Sequence, residues 1–280
     1  MRCLSISADD DHDLAVAPQR AVAPKDAQKA EPILRLRGVG QRFGGLLALV
    51  EVDLDVRPGE RRAILGPNGA GKTTLFNVIS GELLPTEGSI ELFGHDVTQE
   101  SARRRAIAGL SRTFQTSRLL LGLPVEDNLY LAVLGVRGGH LRPVRLPRRD
   151  EEMRRKARSA ARAVGLEGRL DTLVGELSHG ERRQLEVGMA QASDPRLMML
   201  DEPAAGLSPA ERERLTELLL SLDPGVTLIL IEHDMDVAFR VAQWVTMMHN
   251  GRVVAEGTPA DIRASRMVHD LYIGSRYHDE

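Results

Sequence analysis

Residues Ala63 to Thr74 read AILGPNGAGKTT, and this stretch decides the fold. Ala63-Ile64-Leu65 is a short apolar run of strand character that enters a loop made of Gly66, Pro67, Asn68, Gly69, Ala70 and Gly71. Lys72 and Thr73 follow, and a helix is expected over Thr74 to Ser80. The spacing is G-x-x-x-x-G-K-[ST] in a strand, loop, helix setting. Holding a phosphate requires several backbone N–H groups aimed at one anion, and glycines let the chain curl tightly enough to do so. The N–H groups at the helix start add positive potential. In that arrangement Lys72 reaches the β and γ phosphates of a nucleotide, and the Thr73 hydroxyl ligates Mg²⁺. A glycine-rich turn before an ordinary helix is the alternative, and the spacing and context argue against it.

A loop of this kind needs a carboxylate for its metal, and Leu197-Met198-Met199-Leu200-Asp201-Glu202 has that form. An apolar strand ends in Asp201, which can hold Mg²⁺ through one of the metal's own waters. Glu202 is the candidate to orient or deprotonate the attacking water. His233 ends a second apolar run in Ile231-Glu232-His233-Asp234. A lone histidine there is usually a surface or capping residue, but parallel α/β sheets gather ligands at the C-terminal ends of their strands, where Gly66, Asp201 and His233 would all lie. Gln115, at the end of Arg112-Thr113-Phe114-Gln115, suits a sensor of metal and water.

The remaining text fits around this centre. Val50, Val52, Leu54 and Val56 alternate with Glu51, Asp53 and Asp55, the period of a strand with one wet face. Leu197 to Leu200 and Val226 to Ile231 read as buried strands, each followed by a helical pattern, so the fold class is α/β with a mainly parallel core sheet. Between Gln115 and Leu177, Asn128 to Leu134 and Glu151 to Val164 read as helices of an insertion without strand signal. Asn250-Gly251 marks a hairpin, because a type I′ turn needs positive φ at both central residues. Thr258-Pro259-Ala260-Asp261 starts a helix with proline at its first position.

Composition bounds the function. The 280 residues are 42% hydrophobic and 28% charged with a net charge of -3, ordinary for a globular protein and without a whole-molecule footprint for nucleic acid. No apolar run has the length of a membrane span, so a role at a membrane must come through partners. One cysteine, Cys3, leaves no place for disulfides or zinc clusters and fits a reducing cytoplasm. Residues 1–31 read as a disordered leader. The arginine-rich stretch Arg137 to Arg158 reads as a solvated face, with contact to acidic lipid or a membrane partner as the alternative.

Leu177 to Gln184 read LSHGERRQ, in which Ser178 and Glu181 form a helix capping box. A helix N-terminus is also an anion site, so one element can serve both ends.

With these elements in order, the chain resembles the nucleotide-binding subunits of ABC transporters over nearly all of Pro32 to Glu280. The resemblance rests on Phe43, GPNGAGKTT, RTFQ, LSHGE, LMMLDEP and IEHD at family-like spacings. It is narrower still for ATPases of branched-chain amino acid importers, through Arg42-Phe43-Gly44-Gly45-Leu46, Ala204-Ala205-Gly206-Leu207-Ser208-Pro209, Glu232-His233-Asp234-Met235 and Leu271-Tyr272-Ile273-Gly274. Relatives importing urea, amides or aromatic acids look similar.

The resemblance implies a P-loop NTPase fold with an antiparallel β subdomain beside the core (32–115 and 178–257), a helical subdomain (116–177) and a C-terminal helical tail (258–280). It implies that ATP and Mg²⁺ bind, that Phe43 stacks on adenine, and that Gly66 to Thr74 hold the phosphates. Ser178, Gly180 and Glu181 would belong to the nucleotide site of a second subunit, identical or related, in a face-to-face dimer. Gln115 would contact both the metal and the membrane permease subunits, with a periplasmic or extracellular solute-binding protein acting indirectly. Such a subunit works in the cytoplasm, peripheral on the inner face of the membrane, without a nucleic-acid partner. Two residues depart from the family pattern. His179 replaces a glycine and should need no positive φ, and Ser208 replaces an aspartate while keeping an N-cap role through Ser208-Pro209-Ala210-Glu211. Glu181 is expected to turn back to the Ser178 N–H or to pair with an arginine, since a carboxylate aimed at phosphate would repel it. A P-loop small-molecule kinase and an ABC-type ATPase acting on nucleic acid or the ribosome are the competing classes. The first has no use for LSHGE, and the second usually shows coiled coils, zinc cysteines or two fused cassettes.

Overall fold

The computed structural model describes residues 31–113, 119–136 and 147–268, together with the two-residue strand β1 (Gln19–Arg20). Two long strands, β2 (Leu34–Phe43) and β3 (Leu46–Val56), precede the short β4 (Arg61–Leu65), from which the phosphate loop leads to helix α1 (Lys72–Ser80). After β5 (Glu87–Leu92), β6 (His95–Asp96), α2 (Ala102–Ala108) and β7 (Leu110–Arg112) come the inserted helices α3 (Val125–Val136) and α4 (Pro147–Ala163). The chain then alternates regularly: α5 (His179–Gln191), β8 (Leu197–Asp201), α6 (Pro209–Ser221), β9 (Thr227–Ile231), α7 (Met235–Val241), β10 (Trp244–His249), β11 (Arg252–Gly257) and α8 (Pro259–Ala264).

One sheet has the order β1-β11-β10-β4-β9-β8-β7, and its five strands from β10 to β7 run parallel. A central parallel strand is covered on both faces, which is why β8 and β9 are apolar except at Asp201 and Thr227 and buried at every position. Met198, Leu200, Leu228 and Leu230 join the apolar cluster shared with α5 and α6, while Leu197, Met199, Ile229 and Ile231 join the cluster of α1 and the second sheet. That second sheet, β3-β2-β5-β6, is antiparallel.

Several local outcomes differ from the sequence pattern for identifiable reasons. The alternation of β3 slips at Glu51, which has φ 49, so Leu49 rather than Val50 is buried with Val52. The register moves from Val39↔Val52 to Gln41↔Leu49, which places one extra residue on β3 and makes a bulge. The freed Val50 N–H donates to Gly251 O at 2.9 Å and ties this sheet to the β10–β11 hairpin. At that hairpin Asn250 and Gly251 have φ 45 and 75, as its turn requires. Helix α1 begins at Lys72, two residues before the expected Thr74. Helix α3 begins three residues before Asn128, which is wholly buried inside it. The Asn128 amide turns back onto the preceding segment, accepting from Leu120 N and donating to Leu120 O and Pro124 O.

Arg105 of α2 is fully buried and donates to the carbonyls of Val78, Ile79, Val97 and Glu100, so it caps the C-terminal end of α1 with a cation. Burial pushes its guanidinium down to about 10. Arg105→Leu strands those carbonyls without donors, and we expect a loss of roughly 3 kcal/mol or more in unfolding free energy. A lower urea midpoint at unchanged slope would measure it; a midpoint equal to the parent's would contradict it.

Candidate functional site

The chain places its polar residues along one edge of the parallel sheet. Ile64, Ile231 and Asp201 lie in one row across β4, β9 and β8, so the loops that follow these strands emerge side by side.

The phosphate loop is held by close backbone approaches that only glycine allows. Gly66 has φ 156, and a Cβ there would lie 2.2 Å from Met248 O; Gly71 has φ 97, and a Cβ there would lie 2.6 Å from Ala48 O. Gly71 caps α1 without a side-chain bond, and the first turn of α1 carries no acidic residue, so its N–H groups face outward with undiminished positive potential. Lys72 is 5% exposed and folds back on the loop, donating to Gly66 O at 2.7 Å and Pro67 O at 2.8 Å. Burial lowers its ammonium from the ordinary value, against the pull of the Glu202 and Asp201 carboxylates. Thr73 is exposed and Thr74 partly so. Strand β3 links this loop to Phe43, 48% exposed at the β2–β3 hairpin, where Leu46 is exposed as well.

Asp201 ends β8 buried, with its N–H donating to Thr113 Oγ1 at 3.1 Å. Its Oδ2 accepts from Arg112 at 3.3 Å, whereas Oδ1 is buried with no hydrogen-bond partner among the described residues. Burial raises its carboxyl, and Arg112 opposes that. A buried, under-coordinated carboxylate oxygen beside a phosphate loop fits a hard divalent cation such as Mg²⁺. Glu202, the next residue, has φ 48, a strained conformation of the kind that persists where surrounding bonds dictate it. Its N–H donates to Ile231 O at 2.9 Å, and its Oε1 lies 2.6 Å from His233 Nε2. The Glu202 side chain is 14% exposed and that of His233 47%, so the pair opens to solvent on the histidine side.

The turn before α5 forms its capping box in full: Glu181 N donates to Ser178 Oγ at 3.2 Å, and Ser178 N to Glu181 Oε2 at 2.9 Å. Glu181 also pairs with Arg169 at 3.2 Å, so both expected partners of this carboxylate are present. The Ser178 N–H, its first cause, and Arg169 hold it below the usual carboxylate range. His179 does not adopt positive φ, and its Nε2 lies 3.4 Å from Ala205 O. Gly180 N donates to Glu211 Oε1 at 3.1 Å, while the other Glu211 oxygen completes the Ser208 capping box. Among the described residues no hydrogen bond or ion pair joins Ser178–Glu181 to Gly66–Thr74.

Gln115, with Phe114, lies outside the described residues, as do residues 1–18, 21–30, 116–118, 137–146 and 269–280. The segment toward Gln115 leaves β7 beside a cavity of about 390 Å³ between the core and the inserted helices, lined in part by Arg103, Leu110, Thr113, Leu119, Ala132 and Met189. In the arginine-rich stretch, Arg154 and Arg158 pair with Glu126 of α3, which supports the solvated-face reading for these two. Two contributors carried no role on sequence grounds, Arg112 and Glu232, and Glu211 carried only its place in the Ser208 capping box. The ionisable Glu232 directly after an apolar run was the one signal that could have been read.

A family model described as ABC transporter matches residues 49–205. The high-affinity branched-chain amino acid transport ATP-binding protein LivG of Salmonella typhimurium is 35% identical over 252 residues, covering 88% of this chain and 99% of its own. The solved ADP conformation of MJ1267, an ATP-binding cassette of an ABC transporter, matches with a TM-score of 0.77 at 30% identity, over 88% of this chain and 100% of that one. The dimeric post-hydrolysis structure of the cassette MJ0796, bound to ADP and Pi, shares the fold at a TM-score of 0.69 and 24% identity, over 81% of this chain and 98% of that one.

Proposed function

Because this chain belongs to the ABC transporter family, as an ATP-binding subunit that hydrolyses ATP, we propose that it powers uptake of branched-chain amino acids or a related small solute through separate membrane permease subunits. The observation that carries the chemical part is the Glu202–His233 pair, 2.6 Å apart, on the sheet edge that also bears the phosphate loop and buried Asp201. The likeness to LivG, a branched-chain amino acid transport protein, supports the cargo.

In this reading the loop Gly66 to Thr74 holds the triphosphate, Lys72 exchanges the carbonyls of Gly66 and Pro67 for β and γ oxygens, and Phe43 stacks on adenine. Asp201, Thr73 and Gln115 would hold Mg²⁺, which when bound would supply positive charge against that developing on the leaving group. Glu202 takes a proton from the water whose oxygen attacks the γ phosphorus, His233 fixes that water and the γ phosphate, and the bond to the β-bridging oxygen breaks to leave ADP. Two subunits close face to face so that Ser178 and the turn Gly180–Glu181 of one complete the phosphate site of the other. That no hydrogen bond or ion pair among the described residues joins that turn to its own phosphate loop supports the arrangement. Hydrolysis removes the bridging phosphate and reopens the pair. The core (32–115, 178–257) and helical subdomain (116–177) move as the two parts of this closure, and the cavity beside Thr113 and Leu119 receives the permease. No helix among the described residues is long and apolar enough to cross a membrane, and the subunit acts on the cytoplasmic face.

Reconstitution with the permeases and a solute-binding protein tests the cargo. Leucine-loaded binding protein should stimulate ATP turnover several-fold where urea or an aromatic acid does not; stimulation by one of these instead would reassign the cargo and leave the ATPase chemistry standing.

A further inference from the structure

Glu232 is a buried carboxylate that the mechanism above leaves unused. It stands between Ile231, the last residue of β9, and His233, and it is 2% exposed. Its Oε1 accepts from Ala204 N at 2.8 Å and its Oε2 accepts from His233 N at 3.2 Å. One side chain therefore gathers backbone donors from two loops: the one carrying Glu202, two residues before Ala204, and the one carrying His233. Among the described residues, the other backbone tie between these loops at this point is Glu202 N to Ile231 O.

We propose that Glu232 is a positioning residue for hydrolysis, whose carboxylate clamps the Glu202 loop to the His233 loop and so sets the geometry of the pair that activates water. The proposal rests on the reading of Glu202 and His233 given above and adds a residue to it. Beyond Ala204 the same loop runs to Ser208 and Glu211, which touches Gly180, so the clamp also joins the water-activating pair to the segment that faces the second subunit.

The chemistry of the clamp requires the ionised form. Each carboxylate oxygen accepts one backbone N–H, whereas a protonated carboxyl points a hydrogen at one of these donors and a glutamine puts its NH₂ against one of them. Burial pushes Glu232 up to about 7, opposed by the bonds from Ala204 and His233 and supported by the charge of Asp234. The charged groups around it are Asp234, itself paired with Arg212 at 2.8 Å, and the Glu202–His233 pair. Raised in the folded state, this carboxyl is protonated below about 7 and ionised above, so the clamp weakens as pH falls through that value.

The experiment compares the parent with Glu232→Gln and Glu232→Asp in purified, full-length protein. Glu232→Gln should lower kcat about 10- to 100-fold while KM for ATP moves less than about threefold, because the phosphate loop is untouched. The acid limb of the parent's kcat–pH profile near neutrality should vanish in Glu232→Gln, and Glu232→Asp should recover part of the rate. A protonated-carboxyl infrared band that titrates near neutral pH in the parent and is missing from Glu232→Gln identifies the group without reference to turnover. An unchanged kcat, a retained acid limb, or equal loss in kcat and ATP affinity would overturn the proposal. If the parent hydrolyses ATP and Glu202→Gln abolishes this while Glu232→Gln does not, only the clamp fails; if Glu202→Gln also turns over normally, the reading beneath it has failed and the clamp falls with it.

Discussion

A Glu202→Gln subunit is expected to bind ATP as the parent does and to hydrolyse it about 10²- to 10⁴-fold more slowly, the range a positioned general base supplies. The amide keeps the shape of the side chain and can still meet His233 Nε2 at the 2.6 Å separation, but it cannot take a proton from water. The backbone at this residue is set independently of its charge, by the bond from Glu202 N to Ile231 O, so φ 48 survives the change. Binding survives because the loop's grip is made of backbone N–H groups and Lys72. Lys72 loses one of the two carboxylates that favour its charged form but keeps Asp201. An equilibrium consequence follows: with the bridging phosphate retained, the closed dimer should accumulate with ATP and disperse with ADP, which size-exclusion chromatography reads directly. Turnover within about threefold of the parent would take the base role away from Glu202.

What was legible in the sequence divides by sequence separation. The phosphate loop, the capping boxes at Ser178 and Ser208, the helix start at Thr258 and the Asn250-Gly251 turn are each written within a few neighbouring residues, and local geometry suffices to read them. The buried strands β8 and β9 were legible for a related reason, since a strand covered on both faces must be largely apolar. The bulge at Glu51 was hidden, because its cause is Gly251, two hundred residues away in the chain. Asp201 meets Arg112 across 89 residues, Ala204 meets Glu232 across 28, and Gly180 meets Glu211 across 31. Such contacts depend on strand order, which no local pattern records. The site was therefore readable as a set of parts and unreadable as a geometry.

Ser178→Asp separates the two uses of the turn before α5, and it is expected to abolish turnover while sparing the fold. Aspartate is as good an N-cap as serine, can accept the same bond from Glu181 N, and its charge suits a helix N-terminus, so α5 and the stability of the protein should be preserved. Monomeric ATP binding should also be preserved, because among the described residues no hydrogen bond or ion pair joins Ser178 to its own phosphate loop. The closed dimer is different. There the side chain would face the γ phosphate of the second subunit's ATP, and a carboxylate replaces a hydroxyl donor with a like charge in a partly desolvated contact, which costs several kcal/mol. ATP-driven closure and hydrolysis should then fall by about 100-fold or more, and adding Glu202→Gln should not restore the closed dimer. Ser178→Arg should lose activity too, but it also removes the cap, at about 1 kcal/mol, so it tests the role less cleanly. The carboxylate of Glu211 already sits on Gly180 N at 3.1 Å, so an anion at this N-terminus is tolerated within one subunit. A Ser178→Asp subunit that hydrolyses ATP at the parent's rate would therefore show that the turn serves the helix alone.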